Sequence, residues 1–375
     1  MLVKAIPSTG QPIELVFQWE NTDYQMIWRK VPGTSEHDIL FLNTQNKQYV
    51  PFRDRISLHQ EQNRIRLGRQ IAIRFRLPIQ HVVEWIHQCY HLYCEQRAQM
   101  FQIHSYQTLS QTPRPVRFLI ENWFPEHYIT TIAGDGGIGK SVFAQLICLI
   151  LGAQLSTPWS TASTFPLKWL YLDWENQNEN YFYYRMSILA EAIWNKDQHL
   201  ILDRKILEDG IRNGYYLTVQ SPISECYSEL TDIVQSYQPD LVVIDSASLA
   251  IQGSLNDEQN IREHMMMFYG WCHLPLTILL ITHIAKEDVR LGTRIGPYGS
   301  RMFYNLSRQI LEIKARKLKG HPQLTTINEI NIIKNNYGKN QLEPVYFQIV
   351  YPNPTTQTPA EIILSNRNCI EPFFE

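Results

Sequence analysis

Apolar and polar residues alternate in short runs over residues 1–50, for example in IELVFQW and DILFLN, and prolines and glycines separate these runs. A period of two predicts β-strands. From Leu77 the apolar residues instead recur at helical spacing, as do Val83, Ile86, Tyr90 and Tyr93. The polar, proline-containing segment SYQTLSQTPRPVR follows. We therefore predict a small N-terminal α+β domain over residues 1–105 and a linker over 106–116.

Beyond this linker, apolar strand-like runs alternate with segments of helical spacing. The predicted strands are YITTIAG, KWLYLDWE, YYLTVQ, DLVVIDSA and LTILLITH. Short apolar strands separated by helices predict an α/β domain with a mostly parallel sheet flanked by helices. The later runs QILEIKA, TTINEINIIK and PVYFQIVY predict antiparallel strands added to one edge. This domain is predicted over residues 117–350, with a C-terminal tail over 351–375.

The stretch GDGGIGKS fits the phosphate-loop pattern G-x-x-x-x-G-K-[ST], with a predicted strand before it and a helix after it. Its glycines let backbone N–H groups point at a phosphate, and the helix adds its free N-terminal donors. A glycine-rich turn that binds nothing is the alternative, and both flanks disfavour it. We predict ATP and Mg²⁺ as cofactors, with Lys140 reaching the β- and γ-phosphates and Ser141 holding the metal. The predicted nucleotide-binding residues are those of this stretch and the residue after it, namely Gly134, Asp135, Gly136, Gly137, Ile138, Gly139, Lys140, Ser141 and Val142.

Polar residues at the ends of three predicted strands complete the site. Asp245 ends a buried strand and is the expected second Mg²⁺ ligand, although an Asp that caps a helix occupies the same kind of position. Glu175 is expected to orient the attacking water and accept its proton, while Asp173 is expected to be structural. His283 could sense the γ-phosphate, although a lone histidine at a strand end is often only a satisfied polar group.

This ordered set resembles the RecA-like core of ATPases, and within it the branch of RepA-type hexameric helicases, over residues 117–350. The resemblance implies Lys140, Ser141 and Asp245 as ligands of ATP and Mg²⁺ and Glu175 as the catalytic carboxylate. It implies that His283 links the γ-phosphate to the loop that follows.

The same resemblance implies basic residues that act between subunits. Lys334 stands where the family places a cation that reaches the neighbour's γ-phosphate, and the segment YGSRMFYNLSRQILEI places Arg308 near the nucleotide. Asn336 stands where a second basic residue often lies. Either hydrolysis is therefore slow, or another cation completes the site. The candidates for that cation are Lys339, Arg301 and Arg308.

Two segments are candidates for contact with single-stranded DNA. The resemblance implies that the loop after the His283 strand faces a central channel; its basic residues are Lys286, Arg290, Arg294 and Arg301. A solvated loop or a lid over ATP is an equal alternative. The arginine-rich run from Arg53 to Arg76 could bind nucleic acid or a partner, but IAIRFR is also typical of one strand face.

Composition and charge limit the cellular compartments and the classes of partner that we expect for this protein. Hydrophobic residues make up 44% of the chain, and no apolar run has the length of a membrane span or a signal peptide. The six cysteines are scattered, so we expect reduced thiols in a cytoplasmic protein without a membrane partner. The net charge of -2 gives no overall field that attracts nucleic acid.

These observations predict an ATP-hydrolysing homo-oligomer, a hexamer by the resemblance, that acts as a DNA helicase or translocase in replication of a plasmid, phage or mobile element. The alternative is a regulatory ATPase whose nucleotide state controls docking of a protein partner on the N-terminal domain, without unwinding. A nucleotide kinase is a weaker alternative, because the sequence lacks an arginine-rich lid.

Overall fold

The structure is a computed structural model, and it describes residues 2–5, 14–19, 22–31, 34–45, 50–99, 115–157, 165–176, 178–197, 203–272, 274–283, 301–319, 326–337, 343–351 and 360–366. The chain divides into two compact units, residues 1–115 and 116–375. Within the described ranges, no helix combines the length and the apolar character that crossing a membrane requires.

The N-terminal unit is an antiparallel sheet followed by two helices. Its strands pair in sequence order and are β1 (Leu2–Ala5), β2 (Glu14–Gln18), β3 (Tyr24–Lys30), β4 (His37–Asn43) and β5 (Phe52–Ile56). The helices are α1 (Glu61–Phe75) and α2 (Ile79–Gln99). They pack closely at Gly68, where an added Cβ would lie 2.6 Å from a methyl group of Val83.

The strand interpretation of IAIRFR is wrong, because these residues form the last turns of α1 and its C-cap. Leu67, Ile71 and Phe75 recur at helical spacing, and all three are buried against the sheet. This four-residue period prevails over the local alternation of arginine with apolar residues. The predicted linker over 106–116 lies mostly outside the described residues, which resume at Pro115.

The C-terminal unit contains a nine-stranded sheet and a short separate ribbon. The ribbon consists of β6 (Phe118–Ile120) and β7 (Phe124–Pro125). The sheet strands are β8 (Ile129–Gly134), β9 (Trp169–Asp173), β10 (Gly214–Thr218), β11 (Leu241–Asp245), β12 (Thr277–His283), β13 (Gln309–Lys317), β14 (Thr326–Asn335), β15 (Val345–Val350) and β16 (Glu361–Asn366). The helices are α3 (Lys140–Gly152), α4 (Glu179–Asp197), α5 (Lys205–Arg212), α6 (Ile223–Tyr237), α7 (Ala247–Ala250), α8 (Glu258–Cys272) and α9 (Arg301–Leu306).

The sheet runs in the order β10-β9-β11-β12-β8-β13-β14-β15-β16. The pairs from β10 to β13 are parallel, and the pairs from β13 to β16 are antiparallel. The predicted mostly parallel sheet flanked by helices is therefore confirmed, together with antiparallel strands added to one edge.

Two strands depart from the sequence prediction. QILEIKA forms β13, which pairs antiparallel with β14 as predicted but also pairs in parallel with β8, so that Ile310, Leu311 and Ile313 are buried in the centre of the sheet. Residues 361–366, assigned to a tail, form the edge strand β16, which pairs with β15 and buries Ile362. The sheet therefore extends beyond the boundary predicted at residue 350.

Strand order determines where a ligand can bind. Helices α3 and α4 share one apolar core with the sheet, while α6 and α8 pack together through the stacked rings of Tyr227 and Trp271, 5.5 Å apart. Both faces are thus covered, as a parallel sheet requires. The carboxyl ends of the parallel strands meet at one edge, which is where ligands bind in such sheets. We call it the carboxyl edge.

Candidate ATP site

The predicted phosphate loop connects β8 to α3 at the carboxyl edge. Gly137 and Gly139 have φ angles of 74° and 90°, in the left-handed region that favours glycine. At Gly134, an added Cβ would lie 2.9 Å from the carbonyl oxygen of Ile313. Gly139 is also the N-cap of α3, so the loop leads directly into free backbone N–H groups at a helix N-terminus.

Lys140 is held beneath this loop and is only 5% exposed. Its Nζ donates to the carbonyl oxygens of Gly134 at 3.0 Å and Asp135 at 2.7 Å, and it lies 3.3 Å from Nδ1 of His283. Burial lowers the pKa of Lys140, and the charges of Glu175, Asp245 and Asp135 oppose this shift. The three carboxylates are therefore close enough to influence the ammonium group of Lys140, which is the group predicted to bind the phosphates.

Asp245 ends β11 and is fully buried. Its Oδ2 accepts a hydrogen bond from the Tyr171 hydroxyl at 2.6 Å, whereas its Oδ1 has no partner among the described residues. Burial raises the pKa of Asp245 to about 6, while hydrogen bonds from Tyr171 and Ser141 lower it. A buried carboxylate oxygen without a partner, beside a hydroxyl, is a donor set that suits Mg²⁺. Ser141 and Asp245 therefore fit the predicted metal.

Asp173 ends the neighbouring strand β9, in register with Asp245. Its Oδ1 accepts the backbone N–H groups of Glu175 at 2.8 Å and Asn176 at 2.9 Å, and its Oδ2 accepts the Tyr216 hydroxyl at 2.9 Å. Asp173 thus shapes the turn, the structural role expected of it. The side chain of Glu175 remains exposed at the carboxyl edge, where a catalytic carboxylate can meet water.

His283 ends β12 and is paired in register with Gly134. Burial and the nearby charge of Lys140 lower the pKa of His283, which favours the neutral imidazole. Because an ammonium group can only donate, we assign Nδ1 as the acceptor and Nε2 as the protonated nitrogen. A neutral His283 could then donate one hydrogen bond to a phosphate oxygen.

The two remaining predicted cations lie at the opposite, amino edge of the sheet. The Arg308 backbone N–H donates to the carbonyl oxygen of Ile129 at 3.0 Å, at the start of β8. Gly134 ends the same strand, which places about 16 Å of strand between them. The structure therefore does not bring Arg308 to the phosphate loop of its own chain, because α9 leads into β13 at the amino edge.

Lys334 also lies at the amino edge, opposite Ile310 in the β13–β14 pair. Its Nζ donates to three carbonyl oxygens around the end of α9; they belong to Tyr304 at 2.6 Å, Asn305 at 3.2 Å and Ser307 at 2.7 Å. Burial and the nearby charge of Arg308 lower the pKa of Lys334. Within one chain Lys334 is thus a helix cap, and a role at a phosphate would require a second copy.

Three of the predicted DNA-contacting residues, Lys286, Arg290 and Arg294, lie outside the described residues. The fourth, Arg301, begins α9. Asn336, which stands where a second basic residue was expected, donates its backbone N–H to the carbonyl oxygen of Arg308 at 3.2 Å.

Sequence reasoning missed the tyrosines of the carboxyl edge. Tyr171 and Tyr216 bind the two buried aspartates through their hydroxyl groups. Tyr181, Tyr184 and Tyr351 are 47%, 57% and 48% exposed. Burial raises the pKa of Tyr351, the nearby charge of Arg185 opposes this shift, and Tyr181 and Tyr184 add to it. The tyrosine-rich run NYFYYR was the available signal, and flat exposed rings at this edge could stack on a nucleotide base.

A comparison with protein families gives an independent result. A family model described as an AAA domain matches residues 95–289, which is more than half of the 375 residues. The chain belongs to the AAA domain family. This is a P-loop ATPase-type domain that is also found in RecA-like helicases. A search of the curated proteins finds no significant match.

The AAA domain match spans the phosphate loop, Glu175, Asp245 and His283. Membership of the family supports binding and hydrolysis of a nucleotide, and domains of this type usually use Mg²⁺. Arg308 and Lys334 lie beyond the matched residues, so the family match carries no information on these two cations.

Proposed function

We propose that this AAA domain protein is an oligomeric motor of the RecA-like type, of the RepA-type helicase branch. It would couple ATP hydrolysis to movement along DNA, or unwinding of DNA, in replication of a plasmid, phage or mobile element. The observation that carries the proposal is the convergence of Lys140 and His283 with the unpartnered Oδ1 of Asp245 at one sheet edge. Lys140 and His283 can donate to phosphate oxygens, and the carboxylate of Asp245 suits the Mg²⁺ that accompanies a nucleoside triphosphate.

Each residue has a defined part in hydrolysis. Lys140 and the loop N–H groups bind the phosphates, and Glu175 orients the attacking water and takes its proton. His283 donates to the γ-phosphate through Nε2 and transmits its presence to the loop that follows β12. Ser141 and Asp245 would hold Mg²⁺, which when bound neutralises phosphate charge.

The position of the cations supports an oligomer. Arg308 lies about 16 Å along the strand from the phosphate loop of its own chain, and the ammonium group of Lys334 is bound to the end of α9 at the amino edge. They can assist hydrolysis only if the amino edge of one copy faces the carboxyl edge of the next. Such a head-to-tail contact closes into a ring or continues as a filament. A finger supplied in this way is worth about 10³–10⁵ in rate in comparable nucleotide hydrolases.

A regulatory ATPase without unwinding is the second candidate, and one observation favours it. The ammonium group of Lys334 already donates three hydrogen bonds to the end of α9, and Asn336 replaces the second basic residue expected nearby. If these bonds persist in the assembly, hydrolysis stays slow and the nucleotide state serves to control a protein partner bound by the N-terminal unit.

The distinguishing experiment is the steady-state ATPase rate with and without single-stranded DNA at several salt concentrations, with particle mass measured by light scattering. If the protein is a motor, single-stranded DNA should stimulate the ATPase rate, the stimulation should decrease as the salt concentration rises, and the particle should contain several subunits. A rate indifferent to DNA, with no DNA bound to the particle, would favour the regulatory ATPase.

A further inference from the structure

The arginines of the N-terminal unit fall into two groups that the sequence does not separate. In the first group the guanidinium has a partner within the unit. Arg55 forms an ion pair with Asp38 at 2.7 Å, and Arg74 donates to the carbonyl oxygens of Val50 and Pro51. Arg64 donates to the carbonyl oxygens of Leu58 and His59 and lies over the Tyr90 ring. These arginines stabilise the fold.

Arg66, Arg69 and Arg76 form the second group. All three are exposed, and none has a side-chain partner among the described residues. At 100° per residue, Arg66 and Arg69 lie on one side of α1 with Ile73, which is 72% exposed. Arg76 continues this side at the C-cap. We call these four residues the basic face of α1.

Three properties give the basic face its chemistry. It contains no acidic residue, because the single acid of α1, Glu61, lies in the first turn on a different side. Its helical length from Arg66 to Arg76 is about 15 Å, which corresponds to roughly four phosphates along one strand of a duplex. Arginine also offers a planar set of donors that suits phosphate oxygens.

We propose that the basic face of α1 is a nucleic-acid binding surface that contacts the phosphodiester backbone, formed by residues other than those of the ATP site. An acidic protein fits less well, because the centre of a protein interface is usually depleted of charge and this face has only one apolar side chain. A membrane fits less well too, because the apolar side of α1 is buried in the core and cannot enter lipid.

The test is binding of full-length protein, without nucleotide, to fluorescein-labelled oligothymidylate and to a labelled duplex over a series of salt concentrations. The double variant Arg66→Ala/Arg69→Ala removes two predicted phosphate contacts. The slope of log affinity against log salt should then fall by about 1.4 for the single strand and about 1.8 for the duplex. Alanine favours the helix, so the fold should be retained, as circular dichroism can check.

Two matched variants isolate the cause. Arg66→Lys/Arg69→Lys keeps the charge and should keep the wild-type slope. Arg204→Ala/Arg212→Ala removes two exposed arginines from the N-cap and the last turn of α5, in the other unit, where Arg212 pairs with Glu208 and Asp209, and it should leave the slope unchanged. An Arg66→Ala/Arg69→Ala protein with the wild-type slope and affinity overturns the proposal. Wild-type protein that binds poly-glutamate as well as oligothymidylate also overturns it, in favour of an acidic protein partner.

This inference is separable from the motor. The double variant should hydrolyse ATP at the wild-type rate when DNA is absent, because the phosphate loop belongs to the other compact unit of the chain. A reduced slope in the double variant, together with a wild-type ATPase rate that does not change when DNA is added, would support the nucleic-acid binding surface and reject the motor. An unchanged slope together with stimulation of the ATPase rate by DNA would support the motor and reject the basic face of α1 as its contact with DNA.

Discussion

Replacing Tyr171 with phenylalanine should change the pH dependence of Mg²⁺·ATP binding. The Tyr171 hydroxyl donates to Oδ2 of Asp245 at 2.6 Å, and both groups are buried. Burial and Asp245 itself raise the pKa of Tyr171, so the hydroxyl remains a donor at neutral pH. The bond therefore stabilises the ionised form of Asp245, which is the form that can ligate a metal.

The size of the effect follows from the charge on the acceptor. A hydrogen bond to a charged group contributes about 1.5–3 kcal/mol, and one pKa unit corresponds to about 1.4 kcal/mol. The pKa of Asp245 is raised to about 6, so wild-type affinity should decline as the pH falls through about 6. In Tyr171→Phe this midpoint should rise by about one to two pH units, which costs about two- to tenfold in affinity at pH 7. Both proteins should bind alike at pH 9.

The assay is titration of a fluorescent ATP analogue with Mg²⁺ at a series of pH values. Tyr216→Phe is the matched control, because it removes an equivalent hydroxyl from Asp173, the buried aspartate one strand away. Its midpoint should equal that of the wild type. Identical midpoints for Tyr171→Phe and the wild type would refute the assignment of Asp245 as a metal ligand tuned by Tyr171.

Two further predictions concern the other cations and carboxylates of the ATPase unit. Glu175→Gln should bind ATP with wild-type affinity but hydrolyse it at least about 10²-fold more slowly, and a wild-type rate would show that another group is the base. Lys334→Ala should lower the free energy of unfolding by about 1–2 kcal/mol, because three carbonyl oxygens around the end of α9 lose their donor. Urea unfolding measures this loss, with exposed Lys317→Ala on β13 as the control, and equal stability of the two variants would contradict the capping role.

The sequence sufficed for the features that depend on local pattern. The phosphate loop follows from its glycines and its flanking elements, and Asp245 and His283 were found because each ends an apolar run. Parallel strands bring such ends together at one edge, so the meeting of these residues at one edge could be predicted without coordinates. The mostly parallel sheet follows from the same alternation of strands and helices.

Long-range contacts explain what could not be predicted. In the sequence, Tyr171 is indistinguishable from an ordinary aromatic residue of the core, and its hydrogen bond to Asp245 depends on the pairing of β9 with β11. The position of Arg308 depends on β13 joining β8 in parallel, which a hairpin-like sequence does not reveal. The same limit applies to Arg66 and Arg55, since only the folded unit shows which guanidinium has a partner.

The central claim is that hydrolysis at the carboxyl edge moves nucleic acid. Strand displacement from a forked duplex, measured for the wild type and for Glu175→Gln in the presence of ATP and Mg²⁺, tests it most directly. We predict displacement that requires ATP in the wild type and is lost in Glu175→Gln. Rapid hydrolysis of ATP without any displacement, and without a change in rate on adding single-stranded DNA, would contradict the claim and support a regulatory ATPase.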